Sequence, residues 1–269
     1  MTHYTVLVRY EGDMAEVDEK VAEMLAPYDE NLEVPRYKKR MSKDSVERAL
    51  HHFNKKGLIS PSGVQLPDGE LTPEEIKEWE GVEGGKDKRG YYYMSTYNPR
   101  SKWDFYQIGG RWQGVFLLKD GAEGASGNRS LLDKSTEPLG IDVAYLKDID
   151  WEAMRKREVD GNMEDYYKAV EYVLNELEAG KTYDSCVAML HFRYGIDDET
   201  LEEHVAKHRA FTTHAVVDEH GWHEWSKMGW WAITYDEKES HETWRQKFAE
   251  RFLSNPTEKT VVAVVDCHI

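Results

Sequence analysis

Val261-Val-Ala-Val-Val-Asp-Cys-His-Ile269 closes the chain. From Val261 to Val265 neither alternating face carries a polar side chain, so a strand here needs cover on both sides and belongs in the middle of its sheet. Polar chemistry begins where the apolar run stops. Asp266 and His268 are two residues apart and therefore share a face of the strand, while Cys267 points the other way and reads as a packed thiol.

The opening of the chain complements this ending. His3-Tyr-Thr-Val-Leu-Val-Arg-Tyr10 places Tyr4, Val6 and Val8 on one face and Thr5 and Leu7 on the other, the pattern of a strand. Gly12-Asp13 breaks it, and Met14, Val17, Val21, Met24 and Leu25 then recur at helical spacing until Pro27. Leu32 to Tyr37 is expected as a second strand. Ser240 to Leu253, with Trp244, Phe248 and Phe252, predicts a helix leading into the last strand. A β-α-β opening and a strand-helix-strand ending predict an α+β protein. The expected core is ferredoxin-like, two layers with an antiparallel sheet whose first and last strands are adjacent. Antiparallel pairing would set the end of the last strand beside the start of the first, making His3 and His268 near neighbours.

Between these ends the chain alternates helices, loops and strands. Val46, Ala49, Leu50 and Phe53 give a helix from Ser42, residues 57–70 an irregular loop, and Thr72-Pro-Glu-Glu75 a capping box with proline at the first helical position. Trp112, Gly114, Phe116 and Leu118 alternate with Arg111, Gln113, Val115 and Leu117, predicting a strand entered through Gly109-Gly110. Residues 120–130 are rich in Gly and Ser. From Asp148 to His208 the reading is helical, with Tyr166, Val170, Val173, Leu174 and Leu177 as the clearest stripe. The expectation is one domain over 1–269, its core drawn from 1–118 and 211–269, with a helical insertion at about 131–210.

Composition bounds the function. The chain has 269 residues, with 51 acidic and 35 basic side chains and a formal charge of −16. That charge disfavours adhesion to nucleic acid or anionic membrane, and Arg36 to Arg40 is too short a basic run to reverse it. No run approaches the roughly 18 apolar residues a membrane span needs, and the N-terminus lacks the apolar core of a signal peptide. Two distant cysteines, Cys186 and Cys267, argue against a disulfide scaffold and for a reducing compartment, so a cytoplasmic protein is expected.

Two constellations carry chemistry. If His3 joins Asp266 and His268, two imidazoles and a carboxylate converge, a set able to hold a divalent metal ion or to act as general acid and base. The plainer alternative is a tail that is polar because it leaves the sheet. The second is Asn98-Pro-Arg-Ser-Lys-Trp-Asp-Phe-Tyr-Gln-Ile-Gly-Gly-Arg-Trp-Gln-Gly114. Here Arg111 would grip an anion, and Gly109 and Gly110 would let the backbone approach it. Trp103, Tyr106 or Trp112 would stack a flat ring, with Asp104 beside them. The alternative is a hairpin with core tryptophans and a structural Arg111–Asp104 ion pair. His204 and His208 at i, i+4 read as a half-buried pair on an amphipathic helix. His214, His220 and His223, with Trp222, Trp225, Trp230 and Trp231, mark either an aromatic wall or core.

Leu25-Ala-Pro-Tyr-Asp29, Lys102-Trp-Asp-Phe-Tyr-Gln-Ile-Gly-Gly-Arg-Trp112, Lys227-Met-Gly-Trp-Trp231 and Val264-Val-Asp-Cys-His-Ile269 resemble the motifs of an uncharacterised family of bacteriophage and bacterial proteins. The likeness includes the His-x-Thr-Val-Leu-Val start at His3 and covers most of the chain outside 40–90 and 120–210. It implies a phage setting, hence the host cytoplasm, and names no activity. The combined expectation is a protein that binds a small anionic, nucleotide-like ligand, with phosphoester hydrolysis as the natural reaction. The alternative is a non-catalytic acidic protein that inhibits or sequesters a host defence component.

Overall fold

The computed structural model describes residues 2–55, 69–129, 140–182, 184–186, 189–190, 196, 200–208, 210–229 and 233–269. Most of the loop expected at 57–70 lies outside them, as do residues 131–139, 183, 187–188, 191–195 and 197–199 of the stretch expected as a helical insertion, and Trp230 and Trp231. The principal elements in chain order are β1 (His3–Glu11), α1 (Val17–Leu25), β2 (Tyr37–Arg40), α2 (Lys43–His52), α3 (Pro73–Glu80), β3 (Gly84–Asp87), β4 (Gly90–Ser95) and β5 (Phe105–Gly110). There follow β6 (Val143–Tyr145), α4 (Trp151–Glu178), α5 (Leu201–His208), β7 (Ala215–Asp218), β8 (Gly221–Glu224), α6 (His241–Phe248) and β9 (Thr260–His268). The fold is mixed α+β with a mostly antiparallel sheet. No helix among the described residues is long and apolar enough to cross a membrane.

The chain divides into two compact units, residues 1–27 with 102–269, and residues 28–101. In the larger unit β9 is central, as its apolar run requires. It pairs antiparallel with β1 along its whole length, from His3 opposite His268 to Glu11 opposite Thr260. Its other edge is shared: β5 pairs with Val265–His268 and β6 with Val261–Ala263. β6 lies within the stretch expected as a helical insertion, so part of that stretch belongs to the sheet.

Two features depart from the expected two-layer antiparallel core. The neighbour of β1 away from β9 is β7, which runs parallel to it, with Val6 opposite Ala215 and Val8 opposite Val217. The sheet is also covered on both faces. Trp244, Phe248 and Phe252 pack in one cluster with Leu7, Val216, Val262 and Val264. These strand residues alternate with Val6, Val8, Ala263 and Val265, which point the other way and are just as buried. On that second side α1 lies against β1 and β7. A strand as apolar as Val261–Val265 has no face to spare for water, so one helical layer does not suffice.

The smaller unit, which the expectation counted with the core, has its own sheet, ordered β2-β4-β3, and its own cluster of Met41, Ala49, Leu71 and Ile76 under Trp79, Tyr91 and Tyr93. Ser42 caps α2, and Thr72 with Glu75 forms the capping box of α3. β2 begins at Tyr37, where the expected strand ended.

Candidate functional site

The site lies at the His3–His268 end of the β1–β9 pair. Thr2 and Ile269 exchange both backbone hydrogen bonds, at 3.2 and 3.0 Å. The next pair, His3 and His268, is therefore a non-hydrogen-bonded one, in which side chains on the same face approach most closely. Their ring centroids are 4.9 Å apart, edge to face. Asp266 is diagonal to His3 on this face and accepts from its Nδ1 at 2.8 Å. His268 Nδ1 donates to Asp104 at 2.5 Å. Each imidazole is thus fixed through Nδ1 by a different carboxylate, which leaves Nε2 as the basic nitrogen of the neutral ring. His268 Nε2 is buried and has no hydrogen-bond partner among the described residues.

The stretch around Gly109-Gly110 meets the chain ends at Asp266. Gly109 and Gly110 have φ of +75° and +55°, which turns the backbone at the end of β5. A Cβ on Gly110 would sit 2.5 Å from that of Asp266, so only glycine admits this approach. The turn brings the Arg111 N–H to the second oxygen of Asp266 at 3.1 Å, and Asp266 is almost completely buried while holding both. Arg111 itself is exposed. Beneath the turn, buried Asp142 accepts from Gly114 at 2.6 Å and Gly127 at 2.7 Å. Burial pushes its carboxyl above the usual range against the opposing effect of those N–H groups. This clamp makes Trp112–Leu118 a loop, touching Ile141 and Ile149 through isolated bridges, where a strand was expected. The strand of this region is β5, which ends on the two glycines.

His3, Asp266, His268, Asp104, Gly109, Gly110 and the Arg111 backbone therefore come together, and two of the three aromatic assignments fail. Tyr106 stands opposite Cys267, on the face away from Asp266 and His268. Its ring meets that of Trp103 at 5.0 Å, and the Trp103 indole N–H donates to the Leu25 carbonyl of α1 at 3.0 Å. Burial, then the charges of Asp18 and Cys267, raise the Tyr106 phenol above its usual range. Trp112 packs against the cluster around Phe248. Neither Trp103 nor Tyr106 is a stacking platform beside the histidines. The ring on the site face is Phe105, which stands opposite His268 and is 49% exposed. Gln107 stands opposite Asp266 on the same face. The signal for both was present: once His268 is a β9 partner, residues 105 and 107 share its face.

The expected metal role is also revised. Among the described residues no group of three or more His, Cys, Asp or Glu is disposed to hold a metal ion. Asp266, offered as a ligand, spends its two oxygens on His3 and Arg111. Asp104 pairs with His268, so the structural Arg111–Asp104 pair is not formed either. Cys267 is fully buried on the opposite face, where desolvation lifts its thiol well above the ordinary range.

The remaining histidines disperse. His204 is buried against Tyr166, His223 bonds Asp218 at 2.9 Å, and His220 lies exposed beside Glu219. Comparison with protein-family models, curated proteins and solved structures gives no match to this chain.

Proposed function

We propose that the His3–His268 site is a general acid–base centre that hydrolyses a phosphoester of a small, nucleotide-like anion. The observation that carries this reading is the pair of adjacent imidazoles, each held through Nδ1 by its own carboxylate. In the reaction, the neutral ring takes a proton from water as the water oxygen bonds to phosphorus. The ester P–O bond breaks, and the protonated ring gives its proton to the departing oxygen. Arg111 is suited to pair with the phosphoryl oxygens, and exposed Phe105 to contact the ring of the ligand. The attacking water would donate to the unpartnered Nε2 of His268, and once protonated that nitrogen can donate to a phosphoryl or leaving-group oxygen.

The same reading takes the protein as phage-encoded and acting in the host cytoplasm, on the motif resemblance. The ferredoxin-like description of its core rests on the β1–α1 opening, the α6–β9 ending and the β1–β9 pairing.

Hydrolysis of bis-(p-nitrophenyl) phosphate in the presence of a chelator tests the proposal. A bell-shaped pH dependence is expected, with a loss of roughly 100-fold or more in His3→Ala and His268→Ala. Turnover unaffected by both substitutions, or no turnover at any pH, would overturn it.

A second reading, a non-catalytic acidic protein that binds a host component, draws on the distribution of charge. Residues 28–101 hold thirteen basic and thirteen acidic side chains, so the whole −16 rests on the larger unit. Partner capture that weakens steeply with salt would favour it.

A further inference from the structure

In the smaller unit, a cleft of about 420 Å³ lies between α2 and the turn joining β3 to β4. Its cations are Arg40, Lys43 and Arg89, and Met41, Leu50 and Tyr91 give it an apolar lining. α2 presents Lys43, Val46 and Leu50 at helical spacing, so one helix face supplies both a charge and part of that lining. Arg40 is committed: it bonds Asp87 through both guanidinium nitrogens, at 2.6 and 2.9 Å, and the Gly90 carbonyl at 3.0 Å. Those bonds hold the β3–β4 turn against β2 and with it the position of Arg89. Lys43 and Arg89 are exposed, and neither side chain is held in an ion pair among the described residues. Glu47 also borders the cleft and has a partner of its own.

We propose that this cleft binds an organic phosphomonoester, a phosphate dianion carried on a flat or apolar body. Two unpaired cations converge on one opening in a chain of net charge −16, so the ligand charge is matched locally although the molecule as a whole repels anions. A single carboxylate would engage one of them, whereas a phosphate dianion offers oxygens to both. Free phosphate would leave Met41, Leu50 and the Tyr91 ring uncovered, so the body contributes affinity in proportion to the apolar area it covers. The volume falls within the range of small-molecule sites. The cleft is built from residues 40–91 alone and does not depend on the histidine centre.

Calorimetric titration of the full chain with adenosine monophosphate, inorganic phosphate and adenosine tests this. Adenosine monophosphate is expected to bind at least tenfold more tightly than either fragment. In a His268→Ala background, which disables the histidine centre, Lys43→Ala with Arg89→Ala should weaken it at least tenfold. Both cations are exposed, so an unaltered thermal midpoint should accompany the loss. Val46→Trp, which fills the cleft and leaves the charges in place, should also abolish binding. Equal affinity for phosphate and adenosine monophosphate would overturn the proposal, as would affinity retained when both cations are removed in the His268→Ala background, or no binding in His268→Ala with both cations in place.

Discussion

His3 and His268, 265 positions apart in sequence, face each other across the β1–β9 pair with ring centroids 4.9 Å apart. Each takes a different carboxylate, and the two carboxylates differ in surroundings. Asp266 is buried, with 4% of its side chain exposed, and also holds a backbone N–H; Asp104 has 38% exposed. Substituting them should therefore have different consequences. Asp104→Asn removes charge at the surface, so the thermal midpoint should move little while phosphoester hydrolysis falls on the order of 100-fold. Asp266→Ala leaves the Arg111 N–H and His3 without their acceptor and should cost about 2–3 kcal/mol of stability as well as activity. Urea denaturation beside initial rates separates the two cases, and equal stability losses would contradict the burial difference.

A sharper test of the backbone turn is Gly110→Ala. The residue has φ of +55°, and an added Cβ would press on the Cβ and carboxylate of Asp266. Strain and overlap together should destabilise by roughly 2 kcal/mol or more. In an Asp266→Gly background the overlap disappears and only the conformational cost remains, so the double variant should lose less stability than the two single variants summed. Additive effects would mean that the turn does not rest on Asp266.

The β1–β9 pairing was legible in the sequence because two independent patterns agreed: an apolar run needing two covers and an alternating strand at the other end of the chain. The proximity of His3 and His268 followed from antiparallel register alone. What was not legible is which side of the sheet each aromatic of 103–112 would take. Strand alternation around Gly109-Gly110 can be counted from either flank, and both flanks alternate. The choice is made by Asp142, 33 residues after Gly109, which draws Gly114 and Gly127 into a clamp and turns the downstream flank into a loop. Register with β9 then assigns Phe105 to the histidine face and Tyr106 to the α1 face, a decision stored in tertiary contacts and not in local spacing. The parallel neighbour β7 is beyond local reading for the same reason, because more than 200 residues separate it from β1.

The face assignment makes its own prediction. Trp103→Phe removes the indole bond to the Leu25 carbonyl and should cost about 1 kcal/mol of stability without changing the KM for a phosphodiester. Phe105→Ala should do the reverse, raising KM several-fold with the thermal midpoint nearly unchanged, since its ring is half exposed. If Trp103→Phe altered KM and Phe105→Ala did not, the two residues would have to exchange faces.

His214 supplies a pH-dependent element of stability separate from the site. Its ring lies between Tyr4 and Trp225, at 5.3 and 5.6 Å, and its Nε2 is buried without a partner among the described residues. Burial, only partly opposed by Glu224, lowers its pKa to about 4. The unfolded chain returns it to about 6.5, so between these values the unfolded state binds the extra proton and stability rises with pH. The contribution is fully present above about pH 6.5 and is lost as the pH falls toward 4, reaching about 2 kcal/mol near pH 5. Glu224 acts at lower pH: burial pushes its carboxyl up, but Lys102 and Lys238 bring it below the ordinary value, so its contribution fades only beneath that range. His214→Phe keeps an aromatic ring among Tyr4 and Trp225 and removes the titration. Urea midpoints measured at about pH 7.5 and about pH 5 should fall further in the parent than in the variant. Equal falls would show that His214 is protonated in the folded state as readily as in the unfolded chain.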